Sequence, residues 1–397
     1  MSQVAFLDFN DLDFSIRSEQ VLRAREENWY ARTPFGFAVL RYEDANNFLK
    51  DKRLFQGTRK WPEHYGITSG VLANWWQTML LSLEGETHLR LRKLASPAFS
   101  PKNIEKMVPF FSKLANELID NFQSKGECEF MSEFAEPFSA RVIAYFLSID
   151  DSQWKRIAEL ATKLGYVFSV TIKNDLPIIE EGLQGLLDIS KELIAKNRTA
   201  TDNDFLNTLM AAEVDGKAIS DDELLSLVSL FVFAGFDTTR NQIGLGIQSF
   251  AQNLDQWKLL GENPNLGRQA VEEVMRVNPT ITWVSREASV DFVHKGLKIV
   301  AGTTLHLLTI SAGSDPEKIE KPDFDITISR PPHFGFGGGM HHCIGHYIAR
   351  LDMREAFVAL SRRLPNIKVQ SGAEYLPDSG NTGPKKLPIT FLKTNIK

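Results

Sequence analysis

Gly335-Phe336-Gly337-Gly338-Gly339-Met340-His341-His342-Cys343-Ile344-Gly345-His346 is the stretch on which the reading of this 397-residue chain turns. Glycine at this density lets a backbone approach a flat ligand closely. A helical pattern starts directly after Cys343, so its positive N-terminal end would face the sulfur and favour the thiolate. Several readings compete. A buried structural cysteine is the usual fate of a free thiol. A zinc site on His341, Cys343 and His346 needs a fourth ligand, and no second ligand pair stands at the right spacing. A phosphate-cradling loop needs Gly-x-x-x-x-Gly-Lys-Ser/Thr, which is absent. Haem ligation accounts for one cysteine, many glycines and a following helix together.

Moving outward, the most informative neighbour is a helix expected over residues 221–253. Ser220 and Glu223 have capping-box spacing, with Ile219 and Leu224 as its staple. At 1.5 Å per residue it would be a rod of roughly 50 Å. Its first half, residues 224–234, is apolar on nearly every face, which means burial. In its middle sits Ala234-Gly235-Phe236-Asp237-Thr238-Thr239, and glycine there costs up to about 1 kcal/mol relative to alanine. Such a local weakness is either a tolerated kink with a satisfied core Asp or a functional site. Helical periodicity also covers residues 103–125, 152–165, 177–196, 267–277 and 344–363. Strand-like segments are short: 37–42, 298–300, 303–309 and 387–392. The expected fold is mainly α with small β-sheets.

The 43% hydrophobic content suits a globular protein, and 45 basic against 50 acidic side chains give a net charge of −5. A nucleic-acid binder more often gathers a basic excess on one face, so nucleic acid is not an expected partner. Two cysteines, Cys128 and Cys343, are too few for a disulfide framework. Residues 1–10 carry acids and no basic lead, unlike a secretory signal. No run reaches 18 apolar residues, so no membrane span is expected. The setting read from this is soluble, reducing and cytoplasmic. Only residues 199–203 and 372–386 look loose, and a single domain over residues 1–397, working as a monomer, is expected.

Phe336-Gly337-x-Gly339-x-His341-x-Cys343-x-Gly345, continuing into Ala349-Arg350, resembles the haem-binding signature of the cytochrome P-450 family at every fixed position. Ala234-Gly235-x-Asp237-Thr238 resembles its oxygen-activation motif, and Glu273-x-x-Arg276 its Glu-x-x-Arg pair. His88-x-x-x-Arg92 and Arg286 resemble its propionate-binding positions. Alone, an acid–base pair at i,i+3 is an ordinary surface feature. The order of the four signatures along residues 84–354 gives the resemblance its weight. The chain departs from the pattern at Ser82-Leu83-Glu84-Gly85-Glu86, at Ala312-Gly313-Ser314-Asp315-Pro316, and at His346, where many relatives have a small residue.

The resemblance implies a haem b cofactor and insertion of one oxygen atom from O2 into a small hydrophobic molecule, by hydroxylation or dealkylation. Cys343 is then the axial thiolate on the iron, as in P-450 enzymes generally, with Phe336 beside the sulfur and Gly345 in the loop. His88, Arg92, Arg286 and His341 would neutralise the haem propionates. Asp237 and Thr238 would manage protons on the distal side, and Gly235 would leave room for oxygen. Glu273 and Arg276 would hold the fold.

Phe236, Ile281, Thr282 and Val284 are expected to face substrate. In the family the segment here numbered 57–84 folds over the distal haem, so Trp61, Trp75 and Trp76 either face substrate there or pack against the body. Two cysteines are too few for a [2Fe–2S] centre, and no Gly-x-Gly-x-x-Gly fingerprint is present. Electrons from NAD(P)H would therefore come through a separate ferredoxin and ferredoxin reductase, for which Arg350, Arg354 and Lys93 are either a docking patch or an ordinary solvated face. The Asp237–Thr238 pair argues against two rivals, a peroxide-driven peroxygenase and a haem-binding protein without turnover.

Overall fold

A computed structural model describes residues 4–198, 204–378 and 380–393. Its axis is the helix Asp221–Ala251, two residues shorter than the expected span. Ser220 Oγ accepts from the Glu223 N–H (3.3 Å) while Glu223 Oε2 accepts from the Ser220 N–H (3.0 Å). Asp221, Asp222 and Glu223 place negative charge at the positive end of the helix dipole. The motif in its middle does not break it: the Thr238 hydroxyl donates back to the Ala234 carbonyl (2.8 Å), satisfying a poor helix former within the turn.

Helices Glu136–Phe146, Trp154–Gly165 and Leu176–Asn197 pack on one another and on this axis, as do Gly267–Val277 and His346–Arg363. One continuous apolar cluster fills the space between them. The expected helix over 103–125 is split into Pro101–Glu105 and Val108–Asp120, because Pro109 sits in the first turn, where it starts a helix more readily than it continues one.

At one side lies a five-stranded sheet in the order Tyr30–Thr33, Gly36–Val39, Thr304–Leu308, Trp283–Ala288 and Leu54–Gln56. All its pairings are antiparallel except that of Gly36–Val39 with Thr304–Leu308. The strand Trp283–Ala288 was not expected from the sequence, and it carries Arg286 opposite Gln56. Strands expected over 37–42, 298–300, 303–309 and 387–392 form as Gly36–Val39, Leu297–Ile299, Thr304–Leu308 and Pro388–Thr390.

Of the two loose-looking stretches, residues 199–203 lie outside the described residues. In the other, residue 379 also lies outside the described residues, and Glu374–Tyr375 runs antiparallel to Pro384–Lys386 as a hairpin. Glu273 and Arg276 brace the body from inside. Both are 2% exposed, and the guanidinium meets the carboxylate twice (2.8 and 2.7 Å) before donating to the Gly313 carbonyl (3.0 Å). Among the described residues no helix is long and apolar enough to cross a membrane.

Candidate active site

The cysteine loop is shaped by close approach. Gly339 has φ +67°, and a Cβ there would come within 2.2 Å of the Leu49 carbonyl oxygen. The loop closes where the Cys343 N–H donates to the Phe336 carbonyl (2.9 Å), and helix His346–Arg363 follows. Cys343 sits deep in the protein, yet its side chain is exposed to a cavity that it lines. Burial pushes its thiol up, while the Gly345 N–H, Arg92 and Arg350 pull the other way. Phe336 is also on the cavity wall, with the Arg350 guanidinium 4.3 Å over its ring.

Arg350 is further held by Glu272 (3.2 Å) and by His346 Nδ1 (2.9 Å), and Arg354 pairs with Glu355 (2.7 Å). Both arginines are thus paired with the protein's own groups while staying partly exposed. Lys93 is exposed.

Beside the loop gather the expected anion-binding groups. His88 and His341 lie with ring centroids 4.1 Å apart, and His88, Arg92 and His341 all line the cavity. His88 is 1% exposed, and its Nδ1 has no hydrogen-bond partner among the described residues. Burial, reinforced by the charges of His341 and Arg92, brings its imidazole down to about 4. Arg92 donates to the His342 carbonyl.

Arg286 departs from expectation: it does not line the cavity but stands behind it. Its guanidinium donates to Gln56 Oε1 (3.0 Å), the Ser285 carbonyl (2.9 Å) and the Gly338 carbonyl (3.0 Å). The cluster also holds an anion that the motif reading left without a role. Glu84 accepts from His341 Nε2 (3.0 Å) and from the Gln56 N–H. Burial would raise Glu84, but these hydrogen bonds hold it below the usual carboxylate range.

Across the cavity, the central helix contributes Ala234, Gly235, Asp237 and Thr238. Gly235 lines the cavity and also sits close under helix Glu136–Phe146: a Cβ there would come within 2.5 Å of Ile143 Cδ1, and that side chain would have to shift. Asp237 is 3% exposed. It meets Asn381 Nδ2 (2.5 Å), Asn241 Nδ2 (3.4 Å) and Arg240 Nη2 (3.4 Å). Burial raises its carboxyl above the usual range, opposed by Arg240 and Asn381.

The cavity measures about 340 Å³, and its walls are mostly apolar: Leu80, Phe99, Val142, Phe146 and Leu230 among them. Ile281 and Val284 line it as expected, and so do Trp61 and Trp76. Trp75 does not; its indole N–H is turned to Ser229 Oγ (2.9 Å). Phe236 and Thr282 do not line the cavity as expected. Both are fully buried off the wall; Phe236 lies about 200° around the helix from Ala234 and from Thr238, and Thr282 offers its carbonyl to Thr309.

Among the wall residues without a motif signal, three stand apart from the apolar lining. Gly380 and Asn381 come from the hairpin tip, and Asp352 comes from helix His346–Arg363. Asp352 is 2% exposed, its Oδ1 has no hydrogen-bond partner among the described residues, and burial holds it well above the usual carboxylate range. An acid between Leu351 and Met353 on a buried turn was the one sequence hint available.

Residues 37–263 and 256–377 match the cytochrome P-450 family. The chain is 35% identical to luteothin monooxygenase of Streptomyces thioluteus, over 98% of this chain and 97% of that protein. It is 31% identical to the biotin biosynthesis cytochrome P-450 of Bacillus subtilis, over 90% of each. Among solved structures it is similar to CalO2, with a TM-score of 0.89 and 27% identity over 99% of this chain and all of that one. It is similar also to P450BioI, solved with an acyl carrier protein bearing hexadec-9Z-enoic acid (TM-score 0.83, 29% identity, 94% and 97% coverage). Three separated motifs meet at one cavity beneath a likeness that spans nearly the whole chain, and on both grounds it belongs to the cytochrome P-450 family and is a haem-thiolate monooxygenase.

Proposed function

We propose that this monooxygenase acts on a neutral, largely apolar organic molecule, by hydroxylation or dealkylation. Electrons would be relayed from NAD(P)H by a separate ferredoxin and ferredoxin reductase. The observation that carries the substrate class is the cavity itself. Its apolar walls meet Cys343 on one side and the Asp237–Thr238 pair on the other, with few polar groups between. Separate electron carriers are supported by cysteine usage, since Cys128 is buried on the strand Glu127–Glu129 and Cys343 is committed to the loop.

The residues present fit a haem. Cys343 offers a sulfur on the cavity wall, His88 Nδ1 is a buried polar atom in need of a partner, and Arg92 adds positive charge beside it. Bound there, haem supplies the activation of O2, one atom going to substrate and the other leaving as water. The chain's own part is positional and protonic. Asp237 holds a proton more readily than an exposed carboxylate, and Arg240 links it toward Glu136 (3.9 Å), which is one-third exposed. Thr238, the next residue, carries the hydroxyl that passes the proton into the cavity once it leaves the Ala234 carbonyl.

The test is a compound screen for the low-to-high-spin shift of the haem, followed by turnover with ferredoxin partners. Neutral apolar compounds are expected to give the shift and then product that depends on NAD(P)H. A shift confined to charged compounds would overturn the substrate class. Turnover supported by peroxide and not by the partners would overturn the use of O2.

A further inference from the structure

The hairpin formed by Glu374–Tyr375 and Pro384–Lys386 does more than close the fold: its tip reaches the proton-bearing group of the central helix. Asn381, 5% exposed, donates from Nδ2 to Asp237 Oδ2 at 2.5 Å across 144 residues of sequence. Its Oδ1 accepts from the Thr280 hydroxyl (2.7 Å). Thr280 is tied to the tip by the Thr382 N–H on its carbonyl (2.8 Å), and to the central helix by Gln242 Oε1 on its N–H (2.8 Å). A closed circuit results: Asp237, Asn381, Thr280 and Gln242, with both ends on one helix. All four line the cavity, as does Gly380 next to Asn381.

We propose that Asn381 is a positioning residue for Asp237, and that it links proton delivery to what fills the cavity. The inference rests on Asp237 acting as the proton carrier. The chemistry of the circuit suits that task. The Thr280 hydroxyl has one proton and two acceptors in reach, Asn381 Oδ1 (2.7 Å) and the Thr382 carbonyl (2.6 Å). While it donates to Asn381 Oδ1, the amide NH2 is fixed toward Asp237 and serves the carboxylate. When it donates to Thr382 instead, its oxygen becomes an acceptor. The Asn381 amide can then turn over, giving its NH2 to Thr280 and its carbonyl to the acid proton of Asp237.

Asn381 thus satisfies either protonation state of a buried carboxyl, which a carbon side chain in its place would leave unpaired. The other groups facing Asp237 lack this freedom. Arg240 and Asn241 come from its own helix at 3.4 Å, and Gly165 presents no side chain. Because Gly380 and Asn381 are themselves wall residues, a molecule that fills the cavity presses on the group that sets the carboxyl's orientation.

The experiment compares Asn381→Leu, Asn381→Ser and Thr280→Val with Asp237→Asn in the haem-loaded enzyme. The intact thiolate band of the carbon monoxide complex serves as a check on folding. Product per NAD(P)H consumed should fall by roughly fivefold or more in Asn381→Leu and Thr280→Val, with the difference released as peroxide; Asn381→Ser, which keeps a small donor, should recover part of the loss. Independently of turnover, the infrared carboxyl band that Asp237→Asn removes should shift in Asn381→Leu, with its titration moving to higher pH as a donor to the charged form is lost. A purely structural Asn381 would alter stability or ligand affinity and leave coupling and the band alone, and that result overturns the proposal. If Asp237→Asn itself stays fully coupled, the fault lies in the role given to Asp237; if Asp237→Asn uncouples and Asn381→Leu does not, it lies in the role given to Asn381.

Discussion

His306 meets Trp283 edge-on, with ring centroids 5.6 Å apart and planes at 89°. Trp283 lines the substrate cavity, and His306 backs it from the neighbouring strand, with Phe9 (5.1 Å) and Phe35 (6.2 Å) on its other sides. Burial brings this imidazole down to about 3; His64 adds to the effect, and a hydrogen bond with the Phe37 backbone opposes it. The wall of the cavity is therefore supported by a histidine that stays neutral.

That arrangement sets a pH dependence. The folded-state value lies below the ordinary 6.5, so the unfolded chain takes up the proton first as pH falls. The contribution of neutral His306 to stability is complete above that ordinary value and is lost progressively on acidification toward the folded one. His306→Phe keeps an aromatic ring against Trp283 and is expected to flatten this part of the acid limb in urea unfolding. An unchanged acid slope would assign it to other groups.

Glu273 and Arg276 are paired at 2% exposure each, so removing Glu273 leaves Arg276 as an uncompensated buried charge, whereas Glu273 keeps Arg330 (3.3 Å) if Arg276 is lost. Glu273→Ala is expected to cost about 3–5 kcal/mol in denaturant unfolding, whereas replacing both by apolar residues of similar volume should cost much less. Equal losses in the single and double variants would show that packing, not charge, dominates there.

The two cysteines should separate cleanly. Cys343→Ala is expected to abolish the red-shifted Soret band of the reduced carbon monoxide complex, because the sulfur on the cavity wall is gone. Cys128→Ala should keep the band, since that thiol is buried on the strand Glu127–Glu129. Retention of the band in Cys343→Ala would contradict the ligand assignment.

For the cavity walls, the structure reverses one expectation and sharpens another. Phe236→Ala should cost about 3–5 kcal/mol of stability as a buried aromatic is lost, while leaving ligand preference unchanged. Val284→Phe should do the opposite, adding bulk to the cavity wall and narrowing the range of ligands that shift the spin state. The measurement is a parallel ligand screen on the two variants.

What the sequence made legible, and what it hid, follows from the range of the interactions. The cysteine loop and the capped central helix could be read because their logic is local: glycine where the chain must approach closely, and a capping box three residues wide. The gathering of His88, Arg92 and His341 beside the loop was legible, but not the place of Glu84 among them, since that depends on His341 arriving from 257 residues away. The strand Trp283–Ala288 escaped because it holds Arg286 and Glu287 buried on a polar network, which defeats an apolar alternation. Asn381 sat in a stretch whose glycines, proline and polar residues read as loose; its hydrogen bond to Asp237 has no local signature at all. Phe236 was open to correction from periodicity alone, because helical geometry turns it away from the face shared by Ala234 and Thr238.

The approach of Gly339 to Leu49 has a consequence for anyone redesigning this enzyme. A first side-chain carbon at that position would fall 2.2 Å from a backbone oxygen, so no library member with any other residue there keeps the loop as it is. Gly339 itself is thus closed to substitution in directed evolution. The productive search space lies on apolar walls such as Ile281, Val142 and Leu230, where new shapes can be sampled without touching that glycine.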